Sequence, residues 1–148
     1  MDLDEWIARV PPALGEARLW KVRAYQIAMY IGATASQDAT ALEQHTRYSR
    51  VASQLVAAAG SIAAHIAEGY SRFSRRDRIK YYEYALGSAN ESSTWYNTAA
   101  PALPPGALDE RLVYLARVSQ LLLKTIQNER TGLRTNSPRR IPERPPDS

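Results

Sequence analysis

Between residues 46 and 68 the apolar positions Val51, Leu55, Ala58, Ala59, Ile62 and Ile66 recur at spacings of three and four. That period is one buried face of an α-helix and leaves no room for the alternation of a strand. The run ends at Ser61-Ile62-Ala63-Ala64-His65-Ile66-Ala67-Glu68-Gly69. Glycine accepts a left-handed backbone at little steric cost, so Gly69 is expected just beyond the helix end. A basic turn follows, and Ser74-x-x-Asp77 reads as a capping box that opens another helix, with Asp77 favourably placed in its first turn. The pattern therefore predicts a helical hairpin with a positive tip.

The rest of the chain extends this reading. Residues 1–15 form an N-terminal arm or short helix ended by Pro11-Pro12. A long helix is expected from Glu16 to Ser36, carrying Leu19, Val22, Ala24, Ile27, Ala28, Met29 and Tyr30 on an apolar stripe. Gln37 to Gln44 is polar and reads as a loop. Helix three should present Ile79, Tyr82, Leu86, Ala89 and Tyr96 inward and stop at Pro101, before a turn at Pro104-Pro105-Gly106. Helix four, from about Ala107 to Arg130, repeats Leu108, Leu112, Leu115, Val118, Leu122 and Ile126. Residues 131–148, rich in Arg and Pro, read as a flexible basic tail. Four such helices with short connections predict an all-α, antiparallel up-down-up-down four-helix bundle over residues 16–130.

Composition narrows the chemistry. Of 148 residues, 45% are hydrophobic and 23% charged, which suits one globular domain. Cysteine is absent, excluding disulfides, thiolate metal sites and a cysteine nucleophile. The acidic start Met1-Asp2-Leu3-Asp4-Glu5-Trp6 has no secretory pattern, and Leu121-Leu122-Leu123 is too short to span a bilayer, so a cytoplasmic protein without a membrane role is expected. The net charge of +4 is modest, and its placement matters more than its size.

Arg72, Arg75, Arg76, Arg78 and Lys80 gather at the tip, where guanidinium groups can bind phosphate and Phe73 or Tyr70 can stack on a base. A solvated hairpin tip is the plain alternative. Glu68 sits at a helix C-terminal end, opposed by the dipole, and calls for a partner such as Arg72 or an arginine of another subunit. Glu68, Gly69, Ser74 and Asp77 are thus structural. Gly87 and Ser88, with Ala85 and Ala89, make helix three thin on one side, by packing within the subunit or between subunits. Tyr81, Tyr82, Tyr84, Trp95 and Tyr96 exceed what one buried stripe requires and favour an oligomer interface at Tyr81, Tyr84, Trp95, Gly87 and Ser88. His65 and Glu68 could supply only half of a metal site, so no metal is expected. No Gly-x-Ser-x-Gly elbow, phosphate loop or dinucleotide-binding glycine pattern occurs, so no catalytic residue, cofactor or enzymatic activity is expected.

Gln54-Leu55, Ala58-Ala59, Ser61-Ile62, Ile66-Ala67-Glu68-Gly69, the basic serine-containing turn and Ala85-Leu86-Gly87-Ser88 with Glu91 resemble the four-helix bundle proteins of the 23S ribosomal RNA intervening-sequence type. Ala24-Tyr25-Gln26-Ile27-Ala28-Met29 is similar to that family's aromatic-Gln-x-Ala segment, and the likeness covers roughly residues 19–98. This chain departs from the pattern at Ala63, where proline is usual, at His65, where asparagine is common, and at Val56 and Ala57, where basic residues often stand. The resemblance implies a ring, typically a homopentamer. A branch related in fold, the accessory variability determinant of diversity-generating retroelements, implies binding to a reverse transcriptase and nucleic acid. The expectation is a non-enzymatic homo-oligomer acting as an RNA- or DNA-binding adaptor, the alternative being a scaffold for a protein partner such as a reverse transcriptase or another effector encoded nearby.

Overall fold

The structure, a computed structural model, describes residues 1–135. It is all-α, with no strand among the described residues. Two short helices, α1 (Leu3–Ile7) and α2 (Pro12–Gly15), lead through a 3-10 turn (Arg18–Lys21) into four long ones: α3 (Arg23–Leu42), α4 (Ser49–Tyr70), α5 (Arg75–Ala99) and α6 (Ala107–Thr135). Asp2 and Glu5 form a reciprocal capping box on α1, and Pro12 occupies the first turn of α2, where its missing N–H leaves no bond unmade. Helix α3 packs on α4, α4 on α5, α5 on α6, and α6 returns to α3. Ile27, Ile31, Leu42, Leu55, Ile62, Ile66, Tyr96, Leu115, Val118 and Leu122 fill the space between them.

The first long helix starts and ends later than the sequence suggests. Residues 18–21 turn tightly to bury Trp20, and the Gln26 side-chain amide donates to the Trp20 carbonyl at 2.8 Å, tying the turn to α3. At the other end, residues 37–42 are helical rather than loop. Gln37, Thr40 and Ala41 face outward, while Asp38, Ala39 and Leu42 face the core, so a polar stretch conceals a buried stripe.

Gly69 is not a left-handed cap. It lies inside α4, which ends at Tyr70, and Gly106 (φ 80°) is the positive-φ residue of the described chain. The reason for glycine is contact: a Cβ at residue 69 would stand 2.7 Å from Tyr82 Cε1 and 3.2 Å from Tyr81 Cβ. At Gly106 the backbone itself needs glycine, to turn into α6, whose first turn carries Asp109 and Glu110 at the favourable end of the dipole. Helix α6 continues five residues past its expected end. The remainder of the basic tail, with Arg139, Arg140 and Arg144, lies outside the described residues.

The segment Thr46–Tyr70 is long and apolar enough, by length and composition, to cross a membrane. Here α4 packs on α3 along one side and on α5 along another. Its outward positions Ser53, Val56, Ala57, Gly60 and Ala64 are exposed and uncharged.

Candidate nucleic-acid interface

The α4–α5 turn, residues 71–74, is held from both sides. Ser74 Oγ accepts the Asp77 N–H at 3.3 Å and so caps α5. At the end of α4, Ser71 Oγ donates to the Ala67 carbonyl at 2.7 Å. Arg78 reaches back from the first turn of α5 and donates to the carbonyls of Arg72 (3.1 Å) and Phe73 (2.8 Å), satisfying acceptors that the turn leaves open. The side chain of Phe73 projects from this braced turn at 101% exposure.

The expected basic residues divide into two groups. Arg75 and Arg78 are turned onto Glu129 of α6: Arg75 Nη1 lies 3.1 Å from it, and Arg78 donates through Nε (3.1 Å) and Nη2 (3.0 Å) to its two oxygens. The side chain of Arg78 is only 20% exposed, and its donors are spent on Glu129 and on bracing the turn. Arg75 lies over Gly132, where any Cβ would collide with its guanidinium group. The other group faces solvent. Arg76 is exposed with no ion pair among the described residues. Arg72 stacks over the Tyr81 ring at 4.8 Å and contacts Glu68 at 3.5 Å and the Tyr81 hydroxyl at 3.1 Å. Lys80 lies 5.9 Å from the ring centres of both Tyr81 and Tyr84. Glu68 therefore has an arginine partner within its own chain, on an exposed surface where such a pair is worth less than about 1 kcal/mol.

Glu129 is the member that sequence reasoning missed. An acid near the C-terminal end of a helix is opposed by the dipole, as at Glu68, and that was the available signal.

The residues expected at an oligomer interface also divide. Ser88 is buried within its own chain. Trp95 is half-buried and donates its indole N–H to Glu91 at 3.2 Å. Tyr84 is 47% exposed, with Tyr81 edge-on at 5.8 Å and His65 at 5.5 Å. Gly87 and Gly60 are exposed, and a Cβ at either would meet nothing within 4 Å. Packing within the chain thus gives no reason for glycine at these two helical positions.

Toward the opposite end from the tip lies a buried polar cluster. Asp38 of α3 accepts from Tyr96 Oη (2.7 Å) and from Arg111 Nε (2.8 Å) and Nη2 (3.2 Å), joining α3, α5 and α6. Burial and the bond to Asp38 hold the Tyr96 phenol well above the ordinary tyrosine range, and the Asp38 bond holds Arg111 in its charged form. No group of three or more His, Cys, Asp or Glu side chains able to hold a metal occurs among the described residues.

Fold and tip together define a class: an all-helical protein whose hairpin carries an exposed aromatic side chain among cations. Residues 21–102 match the family model described as 23S rRNA-intervening sequence protein, and the chain belongs to that family. The match spans α3, α4, α5 and the tip but stops short of α6 and Glu129. A crystal structure from Bacteroides thetaiotaomicron, of a protein with unknown function from the S23 ribosomal protein family, shares the fold with a TM-score of 0.66. The likeness covers 70% of this chain and 95% of that one at 19% identity. No curated protein matches the chain.

Proposed function

We propose that the protein is a non-enzymatic cytoplasmic binding module in which α3 to α6 form an antiparallel up-down-up-down bundle, several copies assemble into a ring, and the α4–α5 tips bind nucleic acid. The observation that carries this reading is Phe73, fully exposed on a turn that Arg78 and Ser74 hold rigid, beside Arg72 and Arg76. A lone exposed phenylalanine is unfavourable in water, and rigid presentation means that little entropy is lost when a base stacks on it. Arg76 and Arg72 then meet the flanking phosphates. Assembly is supported by the uncharged middle of the outward face of α4, Ser53 to Ala64, and by glycines 60 and 87, which lie open within one chain. Glycine in a helix interior costs about 1 kcal/mol against alanine, and close approach of another copy would offset it. A ring repeats the tip, so weak contacts add through effective concentration.

Gel-shift titration with single-stranded RNA and DNA at two salt concentrations tests the reading. A shift at low salt that weakens at high salt, and that Phe73→Ala with Arg76→Gln abolishes, is expected; absence of any low-salt shift overturns it. The second reading, a scaffold for a protein partner, draws on the same exposed Phe73, since an aromatic anchor also suits a protein pocket. It predicts loss of partner capture in Phe73→Ala without dependence on Arg76.

A further inference from the structure

On the α3–α6 side of the molecule a hollow of about 290 Å³ opens between the start of α3 and the middle of α6. Half-buried Leu121 lines it with apolar surface above the fully buried Ile27, Gln120 contributes an amide, and Arg23, Arg117 and Lys124 stand around it. Among the described residues, no carboxylate lines it. Arg117 and Lys124 have no ion pair among the described residues, and Arg117 rests on the Tyr114 ring at 5.6 Å. Arg23 bonds Gln26 Oε1 at 3.0 Å and touches Asp4 only at 3.8 Å, an acid whose side chain is 89% exposed. Asp2 and Asp4 line the adjoining hollow, which shares Arg23 and Arg117. Helix α3 begins at Arg23 without a side-chain cap, so the positive end of its dipole adds to the same field.

We infer that this hollow is a binding site for a small organic anion, a phosphate monoester or carboxylate carrying an apolar body. Arg117 and Lys124 have no ion pair among the described residues and Arg23 has only the exposed Asp4 at 3.8 Å, so the positive charge here is incompletely balanced and an anion would offset it. Mobile salt would do the same, but salt gains nothing from the half-buried Leu121 or from the aliphatic stems of Arg117 and Lys124, whereas an aryl or alkyl body covers them. The size lies near the lower bound of small-molecule sites, and an apolar surface with a few polar groups at its edge is their usual composition. The site stands apart from the tip. Its cations lie on α3 and α6, and neither Phe73 nor Arg76 contributes to it.

The test is titration of the full-length protein with 1-naphthyl phosphate, followed by amide chemical shifts. Inorganic phosphate, 1-naphthol and 1-naphthoate serve as separate arms. Saturable shifts confined to residues around Arg23, Arg117 and Lys124 are expected, with 1-naphthyl phosphate at least about tenfold tighter than either phosphate or naphthol alone. The naphthoate arm decides between the two headgroups. Arg117→Gln with Lys124→Gln should weaken binding at least about tenfold, while Phe73→Ala with Arg76→Gln leaves it unchanged. Both Arg117 and Lys124 are exposed, so helicity should persist, and Lys124→Gln alone gives a milder check. Non-saturable shifts, inorganic phosphate binding as tightly as the ester, or undiminished binding in the double variant would overturn the site. Loss of the naphthyl site with nucleic-acid shifts intact, or the reverse, separates this inference from the tip reading.

Discussion

Asp38 and Gly69 illustrate how single residues take their meaning from what faces them. Asp38 has three donors converging on it from Tyr96 and Arg111, and replacing it with alanine leaves a largely buried guanidinium and a phenol without their acceptor. Breaking a buried pair from one side typically costs about 3–5 kcal/mol, so Asp38→Ala should lower the denaturation midpoint by a corresponding amount in urea. An unchanged midpoint would show that the cluster is dispensable. Gly69→Ala should destabilise by about 1–3 kcal/mol, because the added methyl meets the Tyr82 ring and the backbone-proximal Tyr81 Cβ. The glycine was legible as a special position, but for the wrong reason. Sequence shows that a small residue precedes a turn; only the position of Tyr82 shows that the helix continues and that the demand is steric.

At the scale of elements, the four long helices were readable from their apolar periods, and the Ser74 cap from its spacing to Asp77. What escaped was how far α3 and α6 extend. The last turns of α3 look polar because the outward residues outnumber the buried Asp38, Ala39 and Leu42, and one of those three is itself charged. Near its end α6 is tied to α5, where Glu129 receives Arg75 and Arg78 and Arg130 meets Glu83, and in the added turn Gly132 lies against Arg75. Glu129→Gln should therefore act on two elements at once. Amide exchange should quicken both in the last turns of α6 and in the turn at residues 71–74, with a loss of about 1–3 kcal/mol in overall stability. Protection unchanged in the 71–74 turn would show that Arg78 braces it without help from Glu129.

Across the whole molecule, the open glycines and the uncharged middle of the α4 face bear on assembly. If copies pack there, light scattering should give a mass that is a multiple of the 16.5 kDa chain, and Gly60→Leu with Gly87→Leu should reduce it to one chain while helicity is retained. A single-chain mass for the native protein, or Gly→Ala changes that only stabilise it, would remove the ring. Stability should also fall in alkali. Burial raises the phenols of Tyr30, Tyr82 and Tyr96 above their ordinary value of 10.0, with the Asp38 bond adding to the rise at Tyr96. Below pH 10 both folded and unfolded chains keep these protons and the contribution is intact; as pH rises past 10 the unfolded chain ionises first, and stability is lost. Phenolate absorbance should then show these tyrosines titrating together with unfolding, whereas ordinary titration of all nine while the circular dichroism stays native would contradict it.

The amino-acid order by itself determined the helical class, the place of the hairpin and the gathering of cations at its tip. Those follow from local periodicity and capping, which act within a few residues. Which cations remain free for a ligand was decided only in the folded chain. Arg75, Arg76 and Arg78 are near-neighbours in sequence, yet one helical turn aims two of them at an acid more than fifty residues away and leaves the third to the solvent. Side-chain direction on a helix is periodic, but the partner it meets depends on which helix packs alongside, and that is a property of the tertiary structure.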